Sequence, residues 1–102
     1  MKNMVKLILT WNIKPGHEQD YFAYVLREYL PLINKLGFEV TDAWVTVFGS
    51  RPQVLLGAVI ASVSKAREVL TSDDWERLNE QLMNYVENLE YKLTPYKGGF
   101  QF

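Results

Sequence analysis

The order of apolar patterns along this chain predicts an α+β fold. The arrangement expected is ferredoxin-like βαββαβ, a four-stranded antiparallel sheet with its helices on one face. Three observations carry that expectation. A stretch from Met4 to Lys14 alternates with period two, as a strand does. A long pair of apolar-rich runs, Phe38–Phe48 and Gln53–Val63, flanks Gly49-Ser50-Arg51-Pro52 and reads as a hairpin. Between and after these lie two stripes with helical spacing, so strand-helix-strand occurs twice over.

The first strand places Val5, Leu7, Leu9, Trp11 and Ile13 on one face and Met4, Lys6, Ile8, Thr10 and Asn12 on the other. Pro15-Gly16 ends it, because proline lacks a ladder donor and glycine permits the turn. Glu18 and Asp20 suit the positive end of a helix that follows. Its stripe is expected to be Phe22, Val25, Leu26, Tyr29, Ile33 and Leu36, with a kink at Pro31 and a left-handed cap at Gly37. In the hairpin, Phe38, Val40, Trp44 and Phe48 alternate with Ala43, Val45 and Val47, and Asp42 falls on the Val40–Trp44 side. Ser64 reads as the N-cap of a short helix through Leu70, and Thr71-Ser72-Asp73-Asp74 as a second cap cluster with Glu76 at capping-box spacing from Asp73. Trp75, Leu78, Leu82, Val86 and Leu89 extend the last helix to about Glu90. Tyr91 to Tyr96 then forms an edge strand, with Pro95 in it. The tail Lys97-Gly98-Gly99-Phe100-Gln101-Phe102 is expected to reach a neighbouring subunit.

Length, composition and charge narrow the function classes. The chain has 102 residues, enough for one domain over 1–102 and one modest core. A net charge of −1, with acids and bases interspersed, gives no electrostatic footprint for nucleic acid or an anionic membrane. Absence of cysteine excludes disulfides, thiol catalysis and thiolate metal sites. No run approaches the ~20 apolar residues of a membrane span, and Leu7-Ile8-Leu9 is too short for a signal-peptide core. A cytoplasmic location is expected. In both hairpin arms the two faces are apolar, whereas a sheet with one wet face shows polar residues at alternate positions. The helices can cover one side only, so a second copy stacked sheet on sheet is expected to cover the other.

These same residues carry a resemblance. Ile13-Lys14-Pro15-Gly16-His17, then Tyr29-Leu30-Pro31-Leu32, the Ser64-to-Glu68 helix start, Ser72-Asp73-Asp74-Trp75 and the closing Lys92-Leu93-Thr94-Pro95 resemble the dimeric α/β-barrel superfamily, and within it NIPSNAP-type domains. The resemblance implies a homodimer with an interior cavity. It implies no single chemistry, since the superfamily includes cofactor-free monooxygenases, haem-degrading enzymes and lactone isomerases. Haem-degrading members use an asparagine, which Asn12 could match, with a later histidine. No histidine follows His17 here.

Candidate site residues follow from chemistry. His17 is the only imidazole, the side chain best suited to moving protons near neutral pH. It stands where a strand hands over to a helix, and the plainer reading is a solvated helix start. Asp42 sits among apolar neighbours and could serve as a general base if buried, or simply pair with Thr10, Asn12 or a lysine. Trp11, Trp44 and Trp75, with Tyr21 and Asn12, could line a cavity for a flat organic molecule, although aromatics at such spacing are more often core. No metal and no cofactor is expected, because one histidine and scattered carboxylates make a poor ligand set. The function expected is a homodimer binding a small apolar or aromatic molecule. The alternative is a cofactor-independent monooxygenase or isomerase-type enzyme using His17 or Asp42.

Overall fold

Alternation in the first strand is realised directly. In the computed structural model, which describes residues 4–48 and 51–96, β1 spans Val5–Ile13, and each of its odd-numbered residues is buried while the even-numbered ones are half-buried. The remaining strands are β2 (Glu39–Phe48), β3 (Arg51–Ile60) and β4 (Val86–Pro95). They form a four-stranded sheet in the order β2-β3-β1-β4, with each adjacent pair antiparallel. This is the ferredoxin-like α+β architecture, with the helices packed on one sheet face.

The first helical stretch runs as α1 (Glu18–Tyr24), a π-helical turn (Val25–Tyr29) and α2 (Leu30–Lys35). Leu30 N–H donates to the Val25 carbonyl, the i→i+5 bond of a widened turn, directly before Pro31, which has no N–H to give. The wide turn changes the stripe's phase. Tyr21, Tyr24, Val25, Tyr29 and Ile33 are buried, whereas Phe22 and Leu26, expected inside, face out, Leu26 at 64% exposure. The helix ends as a Schellman motif: Gly37 has φ +114°, Gly37 N–H donates to Asn34 and Phe38 N–H to Ile33.

Several boundaries differ from the sequence expectation, each for a local reason. β3 stops at Ile60, and Ser62, not Ser64, caps α3 (Val63–Leu70) by accepting from Lys65 N–H at 3.1 Å. Arg51 and Pro52 belong to β3, with Arg51 opposite Phe48, so the hairpin connection is two residues shorter than expected. Its residues 49–50, like the tail 97–102, lie outside the described residues. In α4 (Asp73–Leu82) the N-cap is Ser72, whose hydroxyl accepts from Trp75 N–H, with Asp73, Asp74 and Glu76 in the first turn. That helix ends at Leu82, eight residues short of Glu90, and Val86 and Leu89 belong to a strand. Their apolar spacing of three reads equally well across a β-bulge. Here Thr10 pairs with Glu90 but Asn12 with Glu87, so β4 carries an extra residue, and Asn88 adopts φ +59°.

The core fills the space between sheet and helices. Trp11 Nε1–H donates to the Tyr21 hydroxyl at 2.9 Å, Tyr24 O–H to the Leu78 carbonyl at 2.6 Å and Tyr29 O–H to Asn79 Oδ1 at 2.9 Å. Edge-on contacts join Trp11 to Tyr21 and Tyr29, with centroids 6.3 and 5.8 Å apart. Burial pushes the Tyr21 phenol up to about 12, and pushes those of Tyr24 and Tyr29 further.

Candidate functional site

The register assigns every residue of the sheet's open face to a row. Cross-strand partners share a face, so Thr46, Gln53, Asn12 and Glu87 form one row, and Trp44, Leu55, Thr10 and Glu90 the next. Asp42, Gly57, Ile8 and Lys92 follow, then Glu39, Val59, Lys6 and Thr94. The open face is therefore mixed: its apolar side chains in these rows are Trp44 on β2, Leu55 and Val59 on β3 and Ile8 on β1, while β4 shows Glu87, Glu90, Lys92 and Thr94. This corrects the expectation that both faces of the two hairpin arms are apolar, since Glu39, Asp42, Thr46 and Gln53 lie on the open one.

Asp42 reaches this face because β2 is bulged. Val40 pairs with Ala58 but Asp42 with Gly57, which leaves Thr41 as the extra residue. The bulge separates Asp42 from Val40, which points to the helix side, and keeps it with Trp44. Lys6 Nζ donates to Asp42 Oδ2 across β3, and its ammonium lies 5.9 Å from the Tyr96 ring centroid. The crossing depends on Gly57. A Cβ there would stand 2.8 Å from Lys6 Cε and 2.9 Å from Asp42 Oδ2, too close for either. The hydrogen bond from Lys6 holds the Asp42 carboxyl below its usual range; partial burial opposes this, while the lysine's charge and the Thr41 hydroxyl reinforce it. Asp42 is thus an ionised, weakened base at neutral pH.

Beside this pair Trp44 stands 65% exposed, with Leu55 at 37%. Together with Thr10, Thr46 and Gln53 they line a depression of about 410 Å³ on the open face. Asn12 is in the neighbouring row, where its Oδ1 accepts from Asn88 Nδ2 at 3.2 Å. Trp11, Tyr21 and Trp75 lie on the helix side, buried in the core. His17 is exposed at the start of α1. Asp42 shares a row with Ile8, and β1 runs five residues beyond Ile8 before it ends, roughly 16 Å at the rise of a strand, so His17 and Asp42 cannot converge on one small molecule. The structure thus groups Trp44 with Asn12 and Asp42 on one face and separates them from the other expected residues.

Sequence reasoning passed over Lys6 as a specific partner, and Gly57, Gln53, Thr46 and Leu55. A glycine inside a strand run is a known sign of close approach by another group, and Gly57 carried that sign. Among the described residues no three His, Asp or Glu side chains cluster as a metal site, and no helix is long and apolar enough to cross a membrane.

No family model matches the chain, and no curated protein does. Solved structures do match over nearly its whole length. A NIPSNAP family protein from Agrobacterium tumefaciens superposes with a TM-score of 0.69 at 19% identity, covering 96% of this chain and 90% of its own. The fold is that of NIPSNAP family structures. A hydroxynitrile lyase from Passiflora edulis also superposes on this chain, with a TM-score of 0.67, 13% identity and coverage of 97% and 98%. So does a candidate antibiotic biosynthesis monooxygenase from Nitrosomonas europaea, with a TM-score of 0.66, 11% identity and coverage of 96% and 92%. At such identities the likeness shows the NIPSNAP-like fold, and one fold hosts many chemistries.

Proposed function

We propose that residues 1–102 act as one domain that pairs with a second copy through the open sheet face, and that the space around Trp44 takes a flat apolar or aromatic molecule without a metal. The observation that carries this reading is Trp44 itself, a large aromatic ring left open on the edge strand β2 beside Leu55 of β3. An exposed aromatic next to neutral hydrogen-bonding groups, here Thr10, Thr46 and Gln53, suits stacking with a planar ligand. Sheet-on-sheet pairing would enclose that depression and exclude water from it. Sedimentation tests the pairing: a single subunit at micromolar concentration would remove it. Calorimetry with 2-naphthol as the probe tests the pocket. Trp44→Ala is expected to weaken binding about fivefold, in line with about 1 kcal/mol for an aromatic contact, and equal affinity would rule Trp44 out.

The Lys6–Asp42 pair on the same face favours a second reading, a cofactor-independent monooxygenase or isomerase-type enzyme. The hydroxynitrile lyase and the monooxygenase-like protein among the structural neighbours support it at the level of fold. In that reading Asp42 or His17 moves a proton, and their separation means that only one of them touches the substrate. Oxygen consumption with 2-naphthol present, lost in Asp42→Asn or His17→Ala but not both, is the outcome that distinguishes them.

A further inference from the structure

The depression around Trp44 has a chemistry beyond its open ring. Thr10, Thr46 and Gln53 line it, and among the described residues none of their side chains is held by another protein group. Gln53 stands opposite Thr46, on the strand next to Trp44 and one row along. At strand spacings its Cα lies roughly 8 Å from that of Trp44, within reach of a two-ring molecule stacked on the indole. Thr10 is two strands across from Trp44 in the same row, so these groups meet such a ring on two of its sides.

All three side chains are neutral, and each both donates and accepts. Enclosed as proposed above, they would lose water, and every hydrogen-bonding atom left unmatched would cost affinity. A hydrocarbon ring matches none of them. The Gln53 carboxamide holds a donor and an acceptor side by side in one plane. Its geometric partner is a ring edge with an N–H next to a ring nitrogen or carbonyl, the match by which glutamine pairs with adenine.

We infer that the depression takes a neutral nitrogen heteroaromatic of the nucleobase kind, stacked on Trp44, with its donor–acceptor edge on Gln53 and further ring atoms on Thr10 or Thr46. This rests on the Trp44 pocket proposed above and names the ligand class for it. Charge decides between a base and a nucleotide. The four rows carry Glu39, Asp42, Glu87 and Glu90 against Lys6 and Lys92, and Lys6 is already bonded to Asp42. A phosphate would meet more acid than base there, so the guest is a free base or nucleoside.

Calorimetry with two purines that share a ring system tests this. In 9-methyladenine an N–H stands beside a ring nitrogen, whereas 6-dimethylamino-9-methylpurine has no N–H at all. The first is expected to bind about tenfold tighter than the second, and Gln53→Leu should erase that difference. Adenosine monophosphate should bind more weakly than 9-methyladenine. Equal affinity of the two purines, a difference that survives Gln53→Leu, or tighter binding of the monophosphate would each overturn the inference. A third probe, 2-naphthol, offers a flat ring without the nitrogen edge. If it binds while the purines bind equally, the Trp44 pocket stands and the inference falls; if none of the three binds, both fall.

Discussion

On the helix side of the sheet, Leu9, Trp11 and Ile33 are sealed from solvent and every buried polar side-chain atom among the described residues has a partner. On the other side, Trp44 and Leu55 are open to solvent and the charges of Lys6 and Asp42 meet across Gly57. Both sides are built from the same period-two alternation in the same strands. What separates them is cover: the helices bring tyrosines whose hydroxyls find carbonyls and amides, and the open side has only its own neighbours. A tryptophan's setting therefore follows the layer above it, which is why Trp11 and Trp75 brace a core while Trp44 stays open to solvent.

The largest expected break in this contrast is Trp11→Ala, which empties a filled interior and orphans the Tyr21 hydroxyl. It should cost about 3–5 kcal/mol in denaturant unfolding, whereas Trp44→Ala should stay within about 0.5 kcal/mol. Equal losses at the two sites would dissolve the distinction between the faces. Next in size is alkaline sensitivity, which belongs to the helix side. The native fold holds the Tyr21 phenol protonated up to about 12, and Tyr24 and Tyr29 beyond that, while the unfolded chain releases these protons near their ordinary value. Their stabilisation is complete below pH ~10 and is lost as the pH climbs towards 12. Melting followed across pH 8–12 should show a steep fall starting near pH ~10, and Tyr29→Phe should make it shallower.

A smaller effect sharpens the open side. Gly57→Ala places a methyl against the flexible ends of Lys6 and Asp42, which must shift to make room, at a small cost of about 0.5 kcal/mol. Carboxyl titration followed by NMR should show Asp42 moving up towards its ordinary range. In a Lys6→Ala background the same substitution should cost clearly less, because the crowding group is gone. An Asp42 that titrates unchanged would mean the ion pair does not depend on the glycine.

Much of the fold was legible because alternation and capping are local. β1 was readable from Val5, Leu7, Leu9, Trp11 and Ile13, and Gly37 as a helix stop from its place after Leu36. What escaped was whatever shifts phase. The π turn before Pro31 moved Phe22 and Leu26 outward, and the extra residue at Asn88 let Val86 and Leu89 imitate a helical stripe. Ser62 lost to Ser64 in sequence terms because two serines with similar capping chemistry stood two apart. Of the candidate site, Asp42 and Trp44 could be named as residues, but their true neighbours could not. Lys6 and Gly57 come from different strands, and only the pairing register brings them together.

The single additional residue at Thr41 reaches further than its own strand. Upstream of it, even-numbered side chains look toward the helices; downstream, the odd-numbered ones do. Excising Thr41 would leave a hairpin of regular length with its indole still outward and its valines inward, whereas keeping Thr41 but pairing it regularly would turn the indole inward. Any distant relative lacking this insertion must carry the opposite parity from Asp42 onward. An alignment that slides smoothly through the position will match the wrong sides of two sheets, which is one physical route by which kinship in shape can outlast detectable kinship in letters.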